Sequence, residues 1–374
     1  MSNFVSENDS SIMKYDDSGA AKASDFANYF CSYAELYHQK QMLMDHNRMR
    51  AYHDAIMLNK EMFAGKRVLD VGTGSGVLAI WAAQAGAAKV YACEFTDMAK
   101  HAKNLVNHNK FQDVIEVCQT SVEDLQLDGP VDIIISEWMG YFLLRESMLD
   151  SVIRARNKWL KPGGTLFPSH ATMLWGAINF EEDRVEKVNE YDNSMRDWGS
   201  FMVDMKEHYN VDMTVLDAPY EKEQRDYYIY SSLWTELNPN HVVGQPAILK
   251  QLDLNKCSIA ESASINDQSF EILVPYNLRV SGFAGWFTVD FAGSAESPVN
   301  QRVVLTTGPE GGRTHWGQQV FYLPDCLDCN PQTKLHGNFS MVRQEKNQRL
   351  YNIKINLKVD DEEEDRVTAV YEMP

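Results

Sequence analysis

The chain has 374 residues, 44% of them hydrophobic, which is enough for two domains with a substantial core. Its formal net charge of −18 argues against direct binding of nucleic-acid phosphates, which needs a lysine- and arginine-rich surface, and would instead attract basic polypeptides. An apolar run of about 18 residues is absent, and the polar start MSNFVSENDS lacks a basic stretch followed by an apolar one, so neither a membrane span nor secretion is expected.

Residues 1–22 are predicted to be a disordered tail. Residues 23–60, with aromatic and methionine side chains at helical spacing, are predicted to form helices. KRVLDVGTGSGVLAIWAAQAGAAKVYACEF then reads as a strand, a glycine turn, a helix ending at Gly86 and a second strand, the start of a doubly wound sheet. A helix over Asn104–Asn109, strands over Val114–Gln119 and Val131–Ser136, and a helix over Leu149–Leu160 stopped by Lys161-Pro162-Gly163-Gly164 complete a domain over 61–167. From residue 168 to 374 short alternating runs such as YYIYSSLW, FEILVPY, GWFTVDF, RVVLTT, QQVFYL and YNIKINLKV predict a β-barrel or sandwich. Residues 181–215, helical in spacing and too long for a loop, are predicted to be an arm inserted in it. The acidic run Asp360–Asp365 reads as a solvated turn. Six dispersed cysteines, with Cys326-Leu-Asp-Cys329 lacking a second pair, suit reduced thiols in an intracellular compartment better than a zinc site, and no metal is expected.

Asp70-Val-Gly72-Thr-Gly74-Ser-Gly76 joins a strand to a helix, so its glycines let backbone approach a ligand at a positively polarised helix start. Glu94, ending the next strand, is placed to take two ribose hydroxyls. The G-x-G-x-G spacing and the carboxylate of Asp70 favour S-adenosylmethionine over NAD, because a carboxylate repels a pyrophosphate but suits an amino group and a sulfonium. Glu123 is placed to accept from the adenine amino group. A tight turn without ligand is the alternative.

Glu137 and Glu146 bracket SEWMGYFLLRESM directly after the apolar run ending at Ile135, where open α/β sheets bind ligands. Two carboxylates in one desolvated pocket share a proton or receive a cation, and a planar guanidinium matches their geometry. A helix-capping role is the alternative for either one alone.

VLDVGTGSG, Glu94, the double-glutamate segment and Thr314-His315-Trp316, in this order, resemble the protein arginine N-methyltransferases over residues 25–374. The resemblance implies an α/β plus β fold: a Rossmann-like methyltransferase sheet, a β-barrel domain and a helical dimerisation arm. It implies that the helices of 23–60 cover S-adenosyl-L-methionine, with Gln39, Arg48, Asp70, Gly72, Gly74, Glu94, Glu123 and Met148 around that cofactor and Arg48 on its carboxylate. Glu137 and Glu146 would bind the substrate guanidinium, and His315 with Asp45 would be either a proton relay or a structural tie. Tyr33, Met42 and Trp316 would contact substrate. Met42 and Met148 match members that make mono- and asymmetric dimethylarginine. Gln39 stands where many members have histidine, and Arg145 where a tyrosine is usual. Implied partners are histone tails, arginine- and glycine-rich proteins and a second copy of the chain docked through the arm, in cytoplasm and nucleus. A small-molecule methyltransferase and a non-catalytic arginine-peptide reader are the competing readings.

Overall fold

A computed structural model describes residues 34–373. Helices α1 (Leu36–Leu43), α2 (His46–Met57) and α3 (Lys60–Phe63) precede a five-stranded sheet of β1 (Arg67–Val71), β2 (Lys89–Glu94), β3 (Ile115–Gln119), β4 (Val131–Ile135) and β5 (Leu160–Phe167). All pairings are parallel, in the order β3-β2-β1-β4-β5. The near-continuous apolar strands β1, β2 and β4 are buried on both faces, as central parallel strands must be when α4 (Val77–Gln84), α5 (Met98–His108) and α6 (Leu149–Trp159) cover the sheet. The order reverses between β1 and β4, so a crevice opens at their carboxyl ends.

The stretch Lys161–Gly164 is not a helix stop: α6 ends at Trp159 and this stretch lies within β5. The outer position of β5 tolerates Pro162, which has no amide hydrogen for a ladder.

The second domain is antiparallel. One sheet runs β7 (Leu233–Thr235), β12 (Gln318–Cys329), β10 (Leu278–Gly293), β6 (His170–Ile178), β8 (Val242–Asp253), with β11 (Pro298–Thr306) also on β10. The other runs β15 (Val367–Met373), β14 (Tyr351–Val359), β13 (Lys334–Arg343), β9 (Ile265–Leu273). Together they form a barrel-like domain whose core is aromatic: Trp175 stacks on Phe283 at 5.2 Å and meets Phe339 at 4.9 Å. A strand beginning at Tyr227 was expected from YYIYSSLW, but helix continues to Tyr228 and the strand begins at Leu233. The predicted arm is correspondingly longer. Helix α7 (Glu181–Tyr209) turns back into α8 (Asp217–Tyr228), and the pair is held by Trp198 stacked on Tyr220 at 4.1 Å and by Trp198 Nε1 donating to Asp217 at 3.0 Å. No residue of either helix is buried.

The two domains share one core at Phe142. Its ring, carried by the segment between the two glutamates, inserts among Trp175 (6.1 Å), Phe339 (6.1 Å) and Phe321 (6.2 Å). It lies flat against Gly285 of β10, where an added Cβ would come within 2.3 Å of the ring. The backbone of Phe142, Leu143, Glu146 and Ser147 is left-handed (φ 47, 69, 78 and 58°), a conformation that bulky residues hold only when their surroundings impose it. We expect Phe142→Ala to cost about 3–5 kcal/mol in urea unfolding, and Gly285→Ala to be destabilising too; a loss under about 1 kcal/mol for Phe142→Ala would show that the ring is not what joins the domains.

Beneath the glycine turn, Asp70 is fully buried and accepts from Thr73 Oγ1 at 2.5 Å through Oδ2, while Oδ1 has no close hydrogen-bond partner among the described residues. Burial pushes its carboxyl up to about 7, with a further push from the charge of Glu94 and an opposing pull from the Thr73 hydrogen bond. Native protein therefore binds more protons than unfolded chain between the ordinary aspartate value and about 7, and the contribution of Asp70 to stability is lost as pH rises through that window. The melting-temperature difference, wild type minus Asp70→Asn, should be largest near pH 4 and shrink toward pH 8; a difference independent of pH would contradict a raised Asp70.

Candidate active site

At the carboxyl ends of β1, β2 and β4 the turn, the acidic strand ends and the amino-terminal helices enclose a cavity of about 340 Å³. Gly72 and Gly74 have φ of +71 and +53°, open to glycine without strain. Both are closely covered: an added Cβ would meet Met148 Cε at 2.4 Å over Gly72 and Gln39 Oε1 at 2.8 Å over Gly74. Gln39 is thus buried against the turn, in keeping with its expected place. Glu94 is fixed at the cavity wall, with Oε1 accepting from Thr96 N and Oγ1, both at 2.8 Å, and Oε2 accepting from Gly74 N at 3.0 Å. A carboxylate has lone pairs beyond these for a further donor. Glu123 lies on the rim, where it accepts from Ser151 Oγ at 2.8 Å. Asp70, expected beside the ligand, does not line the cavity. Strand alternation turns its side chain under the turn, where it holds Thr73 instead.

A second cavity, about 430 Å³, opens between the sheet domain and the barrel, lined by Met42, Glu137, Tyr141, Arg145, Glu146, His315, Trp316 and Arg349 among others. Met42, Glu137, Met139, Glu146 and Arg349 line both cavities, so the two glutamates stand at the wall where they meet. Tyr52, whose hydroxyl donates to the Ser136 carbonyl at 2.9 Å, supports the strand end that carries Glu137. Glu137 pairs through Oε2 with Arg48 Nη2 at 2.7 Å, and Arg48 Nη1 donates to the Met42 carbonyl at 2.8 Å. Arg48 thereby holds α1 and Glu137 together at the edge of the first cavity. Glu146 is gripped from the barrel: its N–H donates to the Arg349 carbonyl at 2.8 Å and Arg349 Nη1 donates to its carbonyl at 2.6 Å.

Asp45 and His315, 270 positions apart, meet as expected. Asp45 Oδ2 accepts from the His315 backbone N at 2.9 Å and lies 2.7 Å from Nδ1, while Oδ1 caps α2 by accepting from Arg48 N at 3.0 Å. Burial alone would raise the Asp45 carboxyl, but these hydrogen bonds outweigh it and hold it below its ordinary value. An ionised carboxylate only accepts, so Nδ1 carries the proton and Nε2 is the histidine atom left for other chemistry. Trp316, expected to face a substrate cation, is 2% exposed and donates its indole N–H to the Met139 carbonyl at 2.9 Å. Its ring lies 3.9 Å from that of His315 and 5.4 Å from that of Phe287, and it contributes an edge to the lining of the second cavity. Tyr33 lies outside the described residues. The sequence reading missed Arg349, Met139 and Tyr141 as lining residues. Arg349 reaches the site from a barrel turn some 200 residues from Glu146, and NQRL carries no local signal of it.

Comparison with known proteins agrees with this arrangement. The family model described as "Arginine methyltransferase oligomerization subdomain" matches residues 170–362, and that of "Ribosomal protein L11 methyltransferase (PrmA)" matches residues 55–170. The chain is 48% identical over 340 residues to protein arginine N-methyltransferase PRMT10 of Arabidopsis thaliana, covering 90% of this chain and 88% of that protein. It is 47% identical over 353 residues to PRMT10 of Oryza sativa subsp. japonica, covering 93% and 92%. A crystal structure of the Arabidopsis thaliana protein arginine methyltransferase 10, described as a uniquely open conformation, superposes with a TM-score of 0.89 over 92% of this chain and 100% of that one, at 46% identity. The Trypanosoma brucei PRMT1 enzyme–prozyme heterotetrameric complex with AdoHcy superposes at 0.79, with 29% identity, over 92% of this chain and 100% of that one. The parallel sheet with its glycine turn, the barrel with its arm and the two glutamates between them are those of a protein arginine N-methyltransferase, the family to which this chain belongs.

Proposed function

We propose that this enzyme transfers methyl groups from S-adenosyl-L-methionine to the omega nitrogens of arginine in basic protein segments such as histone tails and arginine- and glycine-rich regions. The products would be mono- and asymmetric dimethylarginine. The observation that carries this reading is the position of Glu137 and Glu146 in the wall common to the two cavities. One cavity suits a nucleotide-like donor and the other is open to a polypeptide side chain.

The first cavity fits the donor. It offers glycine backbone at Gly72 and Gly74 beneath Met148 and Gln39, a buried carboxylate at Glu94, a second carboxylate at Glu123 and a guanidinium at Arg48. Glu94 would take ribose hydroxyls, Glu123 the adenine amino group, and Arg48 the donor's carboxylate. When bound, the donor supplies a methyl group activated on a sulfonium, leaving S-adenosylhomocysteine. Arginine needs help from the protein because its pKa above about 12 leaves each nitrogen a poor nucleophile. Two carboxylates set on opposite sides hold the guanidinium in one orientation and draw its positive charge away from the nitrogen that attacks. Arg48 already shows that a guanidinium fits Glu137 at 2.7 Å. Met42, lining both cavities, and Met148, lining the first, help set the volume beside that nitrogen, and that volume would decide which nitrogen receives the second methyl. Asp45 and His315 tie α2 to the barrel, with Nε2 of His315 available to receive a proton from the product.

The arm is the proposed contact with a second copy. Val185, Phe201 and Val203 are 50, 41 and 53% exposed on α7, and among the described residues none covers them fully. The acidic surface, at a net charge of −18, suits basic substrate segments.

With S-adenosyl-L-methionine and an arginine- and glycine-rich histone-tail peptide, we expect asymmetric dimethylarginine by fragmentation mass spectrometry. Glu137→Gln and Glu146→Gln should each lower kcat/KM on the order of 10²–10³-fold; symmetric dimethylarginine as the main product would reject the type of reaction assigned. In the same assay, a loss of activity in His315→Ala that follows its loss of melting temperature supports the tie, whereas a stable but inactive variant makes His315 the base. By light scattering, Phe201→Glu with Val203→Glu should convert a dimer to a monomer, and a dimer unaffected by these charges would sink the proposed contact.

A further inference from the structure

Arg145 places a resident guanidinium in the cavity whose proposed ligand is a guanidinium. Its Nη1 lies 3.7 Å from Glu146 Oε1, and its guanidinium carbon sits 5.5 Å above the Tyr141 ring. The Nε is buried and has no hydrogen-bond partner among the described residues. The backbone of Glu146, by contrast, is held in place. It is left-handed at φ 78° and is held on both its N–H and its carbonyl by Arg349. One partner of this ion pair is therefore anchored and the other is loosely held. The distance is longer than a direct charge-assisted hydrogen bond, and an unsatisfied Nε means that a shift of the guanidinium breaks no hydrogen bond at that atom.

We propose that Arg145 is an internal competitor for Glu146. With no substrate bound it sits beside the carboxylate and supplies the facing charge. When a substrate guanidinium arrives, Arg145 gives up Glu146 and stays on the Tyr141 ring, which can hold a cation without a carboxylate. Arg145 thus sets the affinity for arginine substrates without taking part in methyl transfer. This inference rests on the reading of Glu146 as a ligand of the substrate guanidinium.

The effect follows from the strength of the pair. Both side chains keep partial contact with solvent, 23% and 19% exposed, so displacing Arg145 costs the modest amount of a partly screened ion pair. Removing it should tighten substrate binding about fivefold. The removal should leave kcat within about twofold, because a competitor that has left the carboxylate before transfer does not act on the transition state.

The test compares wild type with Arg145→Gln, Arg145→Met and Arg145→Lys, using a peptide with a single arginine among glycines. It measures kcat and KM, and also the peptide Kd in the presence of S-adenosylhomocysteine. Arg145→Gln should lower KM and Kd together about fivefold at near-constant kcat. Arg145→Met keeps the stem against Tyr141 and should do the same, so it decides the matter if the glutamine variant fails to fold. Arg145→Lys, still a cation, should remain near wild type. An unchanged or raised KM and Kd in a folded neutral variant overturns the proposal, as does a fall in kcat without a fall in KM, which a merely structural role would produce. If the wild type methylates no arginine peptide, the reading of the site falls and the competitor role with it; if the wild type is active, only the role of Arg145 is at stake.

Discussion

The insertion of the Phe142 ring into the barrel core is the contact on which the site depends. Glu137 follows β4 and is positioned by the parallel sheet, but Glu146 lies nine residues further along a segment with no regular structure to hold it. What holds it is a large aromatic side chain buried among Trp175, Phe321 and Phe339, with Gly285 leaving the room it needs. Because that ring belongs to one domain and its socket to the other, the glutamates are set relative to each other only when the domains are packed together. The unfavourable backbone around them is sustained by the same burial. The barrel turn around Arg349 adds a second hold on Glu146, and Ser147 Oγ donating to the Gln348 carbonyl at 2.7 Å adds a third.

The acidic groups of the site are kept in place by donors from the chain itself. Glu137 has Arg48, Glu146 has Arg349 at its backbone, Asp45 has His315 and the start of α2, and Glu94 has Gly74 and Thr96. Such pairing lowers the cost of gathering carboxylates in a sparsely hydrated cleft and fixes their orientation before any ligand binds. Asp70 shows the contrasting case. Strand alternation places it under the turn with one oxygen lacking a close partner among the described residues, and there burial favours the protonated form. A carboxylate in the glycine motif thus serves the turn rather than the ligand surface.

Charge and architecture divide the remaining tasks. The crevice at the reversal of strand order holds the first cavity, the barrel closes one side of the second, and the arm projects from the barrel on the chain segment between β6 and β7. The arm is helical without a buried face because its two helices pack mainly on each other, through Trp198 on Tyr220, and leave apolar residues outward. A helical pair of this kind within an antiparallel domain has no role in that domain's own core, which is why it is available for contacts outside the chain.

Much of this was legible from local pattern. The apolar runs of β1, β2 and β4, the glycine turn and Glu94 follow from rules that act over a few residues, and so does the change from βαβ spacing to short alternating strands. The glutamate pair was legible because carboxylates seldom follow a buried strand without a reason. What lay beyond local pattern depended on contacts across the chain. Gln39 against Gly74, Asp45 with His315 and the place of Arg349 each join segments far apart in sequence, and Asp45 and His315 were expected to meet only through the family resemblance. Only the end of YYIYSSLW became strand, at Leu233–Thr235, because α8 runs on through Tyr228 at its start and overrides the β propensity of those aromatics. Sequence alone determined the two kinds of sheet and the placing of two carboxylates just beyond β4, since side-chain type and spacing act locally. Only the tertiary structure decided which side chains face the clefts, that Asp70 does not, and that Arg145 rests beside Glu146, because those facts depend on which distant segments pack against each other.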